Sequence, residues 1–276
     1  MSYKTILVHV DTQEQSRGRV RAALALAKAQ GAHLTGLGVK CPRPLPAYAG
    51  PAIAPVFVPM MEDDADEEVA EAKTLFDSVV AEAGPDQLTD WRLAAGDPSY
   101  VLDLHSRYAD LVVIGQTEPE STPEVMIDLP DNLILESTRP VLIVPYIGPR
   151  KTLGETVLVA WDGGRQSARA VELALPVLKQ AREVQIMTVR PKQLESRWPG
   201  MDLAQYLARH GIPVVASRFD GTDIDIDDVL LNQVAETGAD LIVMGAYGHS
   251  RFRETILGGT TRSMLRNTTV PLLMAH

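Results

Sequence analysis

Apolar residues in this chain fall into two kinds of run, and the two kinds alternate. Short, continuous, β-branched runs such as "TILVHV" (Thr5–Val10) and "TVLVAW" (Thr156–Trp161) have the texture of parallel strands covered on both faces. Longer stretches follow in which apolar residues recur at helical spacing: Val20, Leu24 and Ala27 after the first run, Val171, Leu175 and Leu178 after the second. The same reading predicts second strands over His33–Val39 and Val184–Val189 and second helices over Asp63–Ala83 and Met201–His210. It predicts third strands over Asp90–Ala94 and Pro213–Arg218 and third helices over Ser99–Tyr108 and Asp227–Thr237. Each fourth strand ends in glycine, "ADLVVIG" at Gly115 and "ADLIVMG" at Gly245, and a further helix and a last strand follow it.

The order of elements is written twice. Asp11 and Asp162 end the first strands, and Ser16 and Ser167 stand five residues beyond them. "TRPVLIVP" (Thr138–Pro145) is matched by "TVPLLMAH" (Thr269–His276). A repeat of this length is two copies of one domain rather than a solenoid, and the expected domains are 1–148 and 153–276. The boundary falls in "YIGPRKTLGE", where Gly and Pro cluster. The fold class expected is α/β: two tandem doubly wound domains, each a five-stranded parallel sheet of order 3-2-1-4-5 with helices on both faces. "CPRPLPAYAGPAIAPVFVPMM" (Cys41–Met61), with six prolines, reads as a long surface loop, whether connector, lid or pairing surface. "EDDADEE" behind it reads as the acidic first turns of a helix, favoured by the helix dipole, rather than a metal site.

Composition narrows the function. A net charge of -10 argues against nucleic acid as a partner, because phosphate backbones need a basic surface. No apolar run approaches the length of a membrane span, and "MSYKTILVHVD" lacks a secretory signal. Cys41 is the only cysteine, which excludes intrachain disulfides and Cys-rich metal sites. The expectation is a soluble, cytoplasmic protein. No Ser/His/Asp set, no paired carboxylates at a defined spacing and no Gly-Lys-Ser/Thr phosphate loop stands out, so a binding protein is expected, with slow turnover at most.

The chemistry points to the stretch "VMGAYGHSRFRETILGGTTRSMLR" (Val243–Arg266). Ligands of open α/β sheets sit beyond the carboxyl ends of the strands where strand order reverses, which would bring Asp162 and Gly245 to one crevice. Gly245 and Gly248 allow positive φ and close approach of a ligand. Gly258, Gly259 and Thr260 precede a helical stretch whose free N–H groups and positive dipole end suit phosphate, and Thr260 or Thr261 could cap that helix or donate to a phosphate oxygen. Turn glycines and cap threonines also occur with no ligand.

The spacing Gly245-x2-Gly248-x9-Gly258 resembles the ATP-binding motif of the universal stress protein family, Gly-x2-Gly-x9-Gly-Ser/Thr. The aspartate after strand one, the terminal "VPLLMAH" and the two-copy layout resemble its tandem members over nearly the whole chain. The resemblance implies a role in stress response or signalling, with ATP or a related adenine nucleotide, and Mg2+ where the phosphates need it, bound in the C-terminal copy. It implies that Asp162 and the backbone near Ala160 meet adenine or ribose, that Val189 lines the adenine pocket, and that Gly245 and Gly248 pass close to ribose and phosphates. It also implies that Gly258, Gly259 and Thr260 present N–H groups to the phosphates, with His249 beside them. Gly259 departs from the motif, which has Ser or Thr there.

The first copy departs further. After Gly115 come Glu118, Glu120, Glu124, Asp128 and Asp131 in the segment that should meet phosphates, with prolines at 119, 123 and 130 removing N–H donors. It is expected not to bind ATP and to serve as a structural partner, the two copies pairing within the chain. A last strand left exposed would favour a homodimer. Alternatives from another class are an interaction module whose nucleotide sites have both decayed, or a nucleotide-hydrolysing enzyme. His249, Arg251 and Arg253 could touch phosphates or lie in a solvated loop, and Arg262 and Arg266 are expected to face water or the other domain. Trp161 could stack on a ring but reads more readily as core or interface. His9 and His105 have no metal-ligand partners at recognisable spacing.

Overall fold

The computed structural model describes residues 2–41, 54–84, 86–118, 122–148, 152–189, 199–219, 225–248 and 259–276. The N-terminal copy runs β1 (Thr5–His9), α1 (Ser16–Gln30), β2 (His33–Lys40), α2 (Ala54–Ala83), β3 (Thr89–Ala95), α3 (Pro98–Ser106), β4 (Leu111–Gly115), α4 (Leu129–Glu136) and β5 (Val141–Val144). The C-terminal copy runs β6 (Thr156–Trp161), α5 (Arg165–Leu178), β7 (Glu183–Val189), α6 (Pro199–Arg209), β8 (Val214–Phe219), α7 (Ile226–Thr237), β9 (Leu241–Gly245), α8 (Gly259–Asn267) and β10 (Leu272–Ala275).

Each copy has the strand order 3-2-1-4-5, but the two five-stranded sheets are one. The order across the molecule is β3-β2-β1-β4-β5-β10-β9-β6-β7-β8. Every pairing is parallel except the seam, where β5 and β10 run antiparallel with Val141 opposite Met274, Leu142 opposite Leu273 and Ile143 opposite Leu272. Both last strands are therefore internal, and neither is the exposed edge that would invite a second chain.

Alternation along the strands builds two cores. On β1, Ile6 and Val8 face one side and Leu7 the other. The first core holds Val20 of α1, Phe76 of α2, Val171 of α5 and Leu207 of α6. The second holds Leu102 of α3, Leu133 of α4, Leu230 of α7 and Met264 of α8. The repeated "ADL" has a structural reason. Asp110 accepts from the backbone N–H of Lys4 (2.7 Å) and Thr5 (3.0 Å), and Asp240 accepts from Gly154 (3.0 Å), Glu155 (3.2 Å) and Thr156 (3.1 Å). Each aspartate thus ties the start of the first strand to the start of the fourth.

The proline-rich insert differs from expectation. Helix α2 begins at Ala54, upstream of the predicted Asp63, and carries Pro59 inside it. Pro55 sits in the first turn, where a missing N–H costs no intrahelical bond, so only Pro59 interrupts the ladder. The acidic run at 62–68 consequently lies in mid-helix, with no acidic residue in the first turn, and the dipole argument does not apply. The run is mostly a solvated face, because Ala65, Val69, Ala72, Phe76 and Val79 carry the buried stripe. The remainder of the expected loop, 42–53, lies outside the described residues.

Candidate functional site in the C-terminal copy

Strand order reverses between β6 and β9: β7 flanks β6 on one side and β10 flanks β9 on the other. Ala160 pairs with Met244 at the carboxyl ends of the two strands, and a cavity of about 340 Å3 opens there. Ala160, Asp162, Gly245, Gly248, Thr260 and Thr261 all line it, so the structure gathers six of the residues picked from the sequence. Gly259 is the first residue of α8, and an added Cβ would meet nothing within 4 Å among the described residues, which leave this helix end open. Val189 ends β7 opposite Phe219, one strand further out. His249 and Gly258, with Arg251 and Arg253, lie outside the described residues.

Asp162 is exposed and organised. Its Oδ1 accepts from the Gly164 N–H (2.8 Å) and the Ser167 hydroxyl (2.6 Å), which explains the serine five residues on. These bonds leave Oδ2 directed to the side of Gly248, where an added Cβ would lie 3.7 Å from it.

Two glycines play different parts from those expected. Neither Gly245 nor Gly248 has positive φ. A Cβ on Gly245 would collide with the Ser167 amide nitrogen and lie 2.5 Å from the Gln166 carbonyl carbon, so this glycine admits the backbone of α5 rather than a ligand. The left-handed residue is Tyr247, with φ of 55°, a conformation that costs a side-chain-bearing residue about 1–2 kcal/mol. Thr261 does not cap the helix. It is buried, and its Oγ1 accepts from the Tyr247 N–H at 3.3 Å, tying the loop after β9 to α8.

Sequence reasoning missed several lining residues. Ile226, Leu230 and Met244 form an apolar wall, and Gln166 and Tyr247 add polar groups. Trp161 also lines the cavity while packing on the first core, and among the described residues its Nε1 has no hydrogen-bond partner. Met244, Trp161 and Tyr247 are marked only as positions at the strand ends, whereas Ile226 and Leu230 come from α7 and Gln166 from α5.

The matching place in the N-terminal copy is filled differently. Arg19, where the second copy has Ala170, is buried, and its Nη2 lies 2.8 Å from Asp11 Oδ2 and donates to Ser16 Oγ at 2.9 Å. Its Nη1 occupies the space that a Cβ on Gly115 would need. Burial pushes the Asp11 carboxyl up, but the charge and hydrogen bond of Arg19, with His9 beside it, outweigh that and hold it below the usual range. A smaller cavity of about 170 Å3 remains, lined by His9, Asp11, Cys41 and Glu68 among others. Of the acidic residues expected there, Asp131 turns instead toward the C-terminal copy: it accepts from the Tyr247 hydroxyl, and Arg262 Nε approaches it at 3.4 Å. Arg262 thus meets the other copy, one of the two expectations for it. Among the described residues no His/Cys/Asp/Glu group suits a metal ion, and no helix is long and apolar enough to cross a membrane.

Comparison with known proteins bears on the fold and the repeat. The model of the Universal stress protein family matches residues 2–145 and again 154–276. The universal stress protein Slr1230 of Synechocystis sp. (strain ATCC 27184 / PCC 6803 / Kazusa) is 38% identical over 47 residues, a match that spans 17% of this chain and 16% of that protein. The crystal structure of a universal stress protein from Archaeoglobus fulgidus DSM 4304 superposes with a TM-score of 0.73 at 20% identity, covering 98% of this chain and 95% of that one. That of a putative universal stress protein from Pseudomonas aeruginosa UCBPP-PA14 gives 0.61 at 16% identity, covering 99% and 93%.

Proposed function

From the premise that this chain belongs to the universal stress protein family, as two tandem copies, we propose that its C-terminal copy binds ATP or a related adenine nucleotide as a signal or structural ligand, and that its N-terminal copy is a structural partner. The observation that carries this reading is the contrast between equivalent aspartates. Asp162 stands exposed at the rim of a cavity of about 340 Å3, whereas Asp11 is already neutralised by Arg19 at 2.8 Å.

The residues present fit such a ligand. Ile226, Leu230 and Met244 offer an apolar wall to a purine ring, and Trp161 offers a buried N–H without a partner among the described residues. Asp162 offers a carboxylate oxygen to ribose hydroxyls or adenine amino groups. The open start of α8 at Gly259 offers N–H groups and the positive end of a helix dipole to phosphates. Mg2+ would accompany the phosphates, since the described residues form no metal-ligating cluster.

Calorimetry with ATP and Mg2+ tests the reading on the full chain. Heat of binding at one site per chain is expected. It should be lost in Gly248→Val, whose side chain would occupy the cavity lining beside Asp162 and Gln166, both within 4 Å of an added Cβ. No heat from the wild-type protein would leave the nucleotide-free interaction module in its place.

A further inference from the structure

Asp131 belongs to the N-terminal copy, in the first turn of α4, yet its carboxylate is bonded to the wall of the C-terminal pocket. The seam sets the geometry. Leu142 lies opposite Leu273, two equivalent positions offset by 131, so the local two-fold axis relating the copies passes through that pair. Asp131 and Arg262 have the same offset, so they are equivalent positions, and they meet beside that axis. In a dimer of identical copies one residue would face itself there. Here an acid faces a base, with 3.4 Å between Asp131 Oδ1 and Arg262 Nε.

The same carboxylate accepts a hydrogen bond from the Tyr247 hydroxyl. Tyr247 is the only non-glycine residue with positive φ among those described, and it lines the cavity. Such a conformation persists where the surroundings over-determine it. Tyr247 has three holds: Asp131 at its hydroxyl, Thr261 Oγ1 at its N–H (3.3 Å), and the His276 ring edge-on at 6.4 Å between centroids. Asp131 therefore grips both elements that open on the pocket, the loop after β9 and helix α8.

We propose that Asp131 is a positioning residue of the C-terminal site: through this one carboxylate the N-terminal copy holds Tyr247 and Arg262 in the arrangement that receives the nucleotide. The proposal rests on the nucleotide reading above for its ligand, but not for its structural consequence. Without Asp131, Tyr247 relaxes toward ordinary φ and the peptide leading to Gly248 turns with it.

The test uses full-length Asp131→Asn, Tyr247→Phe and the double variant. ATP affinity is measured by calorimetry and backbone exchange by hydrogen–deuterium mass spectrometry without ligand. Each single variant is expected to bind ATP about tenfold more weakly, as for loss of a charge-assisted hydrogen bond, and the double variant no more weakly than either. Exchange should quicken in 245–248 and at the start of α8, with the thermal midpoint little changed. Unchanged ATP affinity in Asp131→Asn, or losses that multiply in the double variant, would overturn the proposal. If the wild-type protein does not bind ATP, the nucleotide reading fails separately. Exchange then decides alone: an Asp131→Asn protein with wild-type exchange over 245–248 removes the positioning role.

Discussion

His9 makes the acid stability of this protein calculable. It is 3% exposed, and burial lowers its pKa from 6.5 to about 4, with Asp11 opposing the shift and Arg19 adding to it. In the unfolded chain His9 takes its proton near 6.5, in the folded chain only near 4. Between those values the unfolded state binds more protons, so stability falls as pH falls through that window and the loss is complete below it. A gap of about 2.5 units corresponds to about 3 kcal/mol, of which about 2 kcal/mol is lost between pH 7 and pH 4.5. Asp11, held below its usual range, contributes its own loss at lower pH, outside this window. His105, also shifted down by partial burial, adds to the slope in any variant that keeps it. The comparison is wild type against His9→Gln by urea unfolding at pH 7, 5.5 and 4.5. Trp91, which packs against Phe76 at 5.5 Å between ring centroids, reports on the N-terminal copy when Trp161 and Trp198 are replaced by Phe. The variant should lose about 2 kcal/mol less over this range. Parallel profiles for the two proteins would refute the reasoning.

Three other outcomes follow from the geometry. Gly245→Ala places a methyl group against the α5 backbone; it should cost about 1–3 kcal/mol in urea unfolding and abolish ATP heat in calorimetry. Gly259→Ser meets nothing within 4 Å among the described residues, should stabilise the helix start by about 0.5 kcal/mol and should tighten ATP binding; weaker binding would contradict the placing of phosphates there. Arg19→Met strands Asp11, whose side chain is 20% exposed, and should cost about 3 kcal/mol. Adding Asp11→Asn should restore most of that, as read from the urea midpoint.

The strands were legible because each is a short, continuous apolar run, and a strand covered on both faces leaves little else to write. The start of α2 was not, because six prolines outweighed the periodicity behind them, although Pro55 falls where a helix tolerates it. The seam was hidden for a different reason. Nothing local in "VLIVP" or "LLMAH" says which strand covers it, so an edge and an interior strand read alike. Within the site, the strand ends pointed to the crevice where the cavity lies, and Gly245 and Gly248 line it. The reason for Gly245 was misjudged, because the approach of a helix backbone and the approach of a ligand demand the same residue. Arg19 was readable only by laying the copies side by side, where it faces Ala170 in an otherwise apolar stripe. The left-handed turn sits on Tyr247, which carries no local mark, and Asp131 passed for one more member of an acidic run.

The antiparallel seam between β5 and β10 also changes what mutation can do to the molecule over time. Had the copies been separate chains of one sequence, each substitution would appear twice, and their association would depend on how much protein was present. Joined in one chain, the contact forms at an effective concentration fixed by the connecting segment, independent of abundance. The partners are always present one to one, and each can drift alone. That freedom permits a lone arginine at position 19, a lone tyrosine at 247, and an acid at 131 facing a base at 262. The outcome is a protein with a handedness of roles, in which one half can narrow its pocket while the other keeps a wider one.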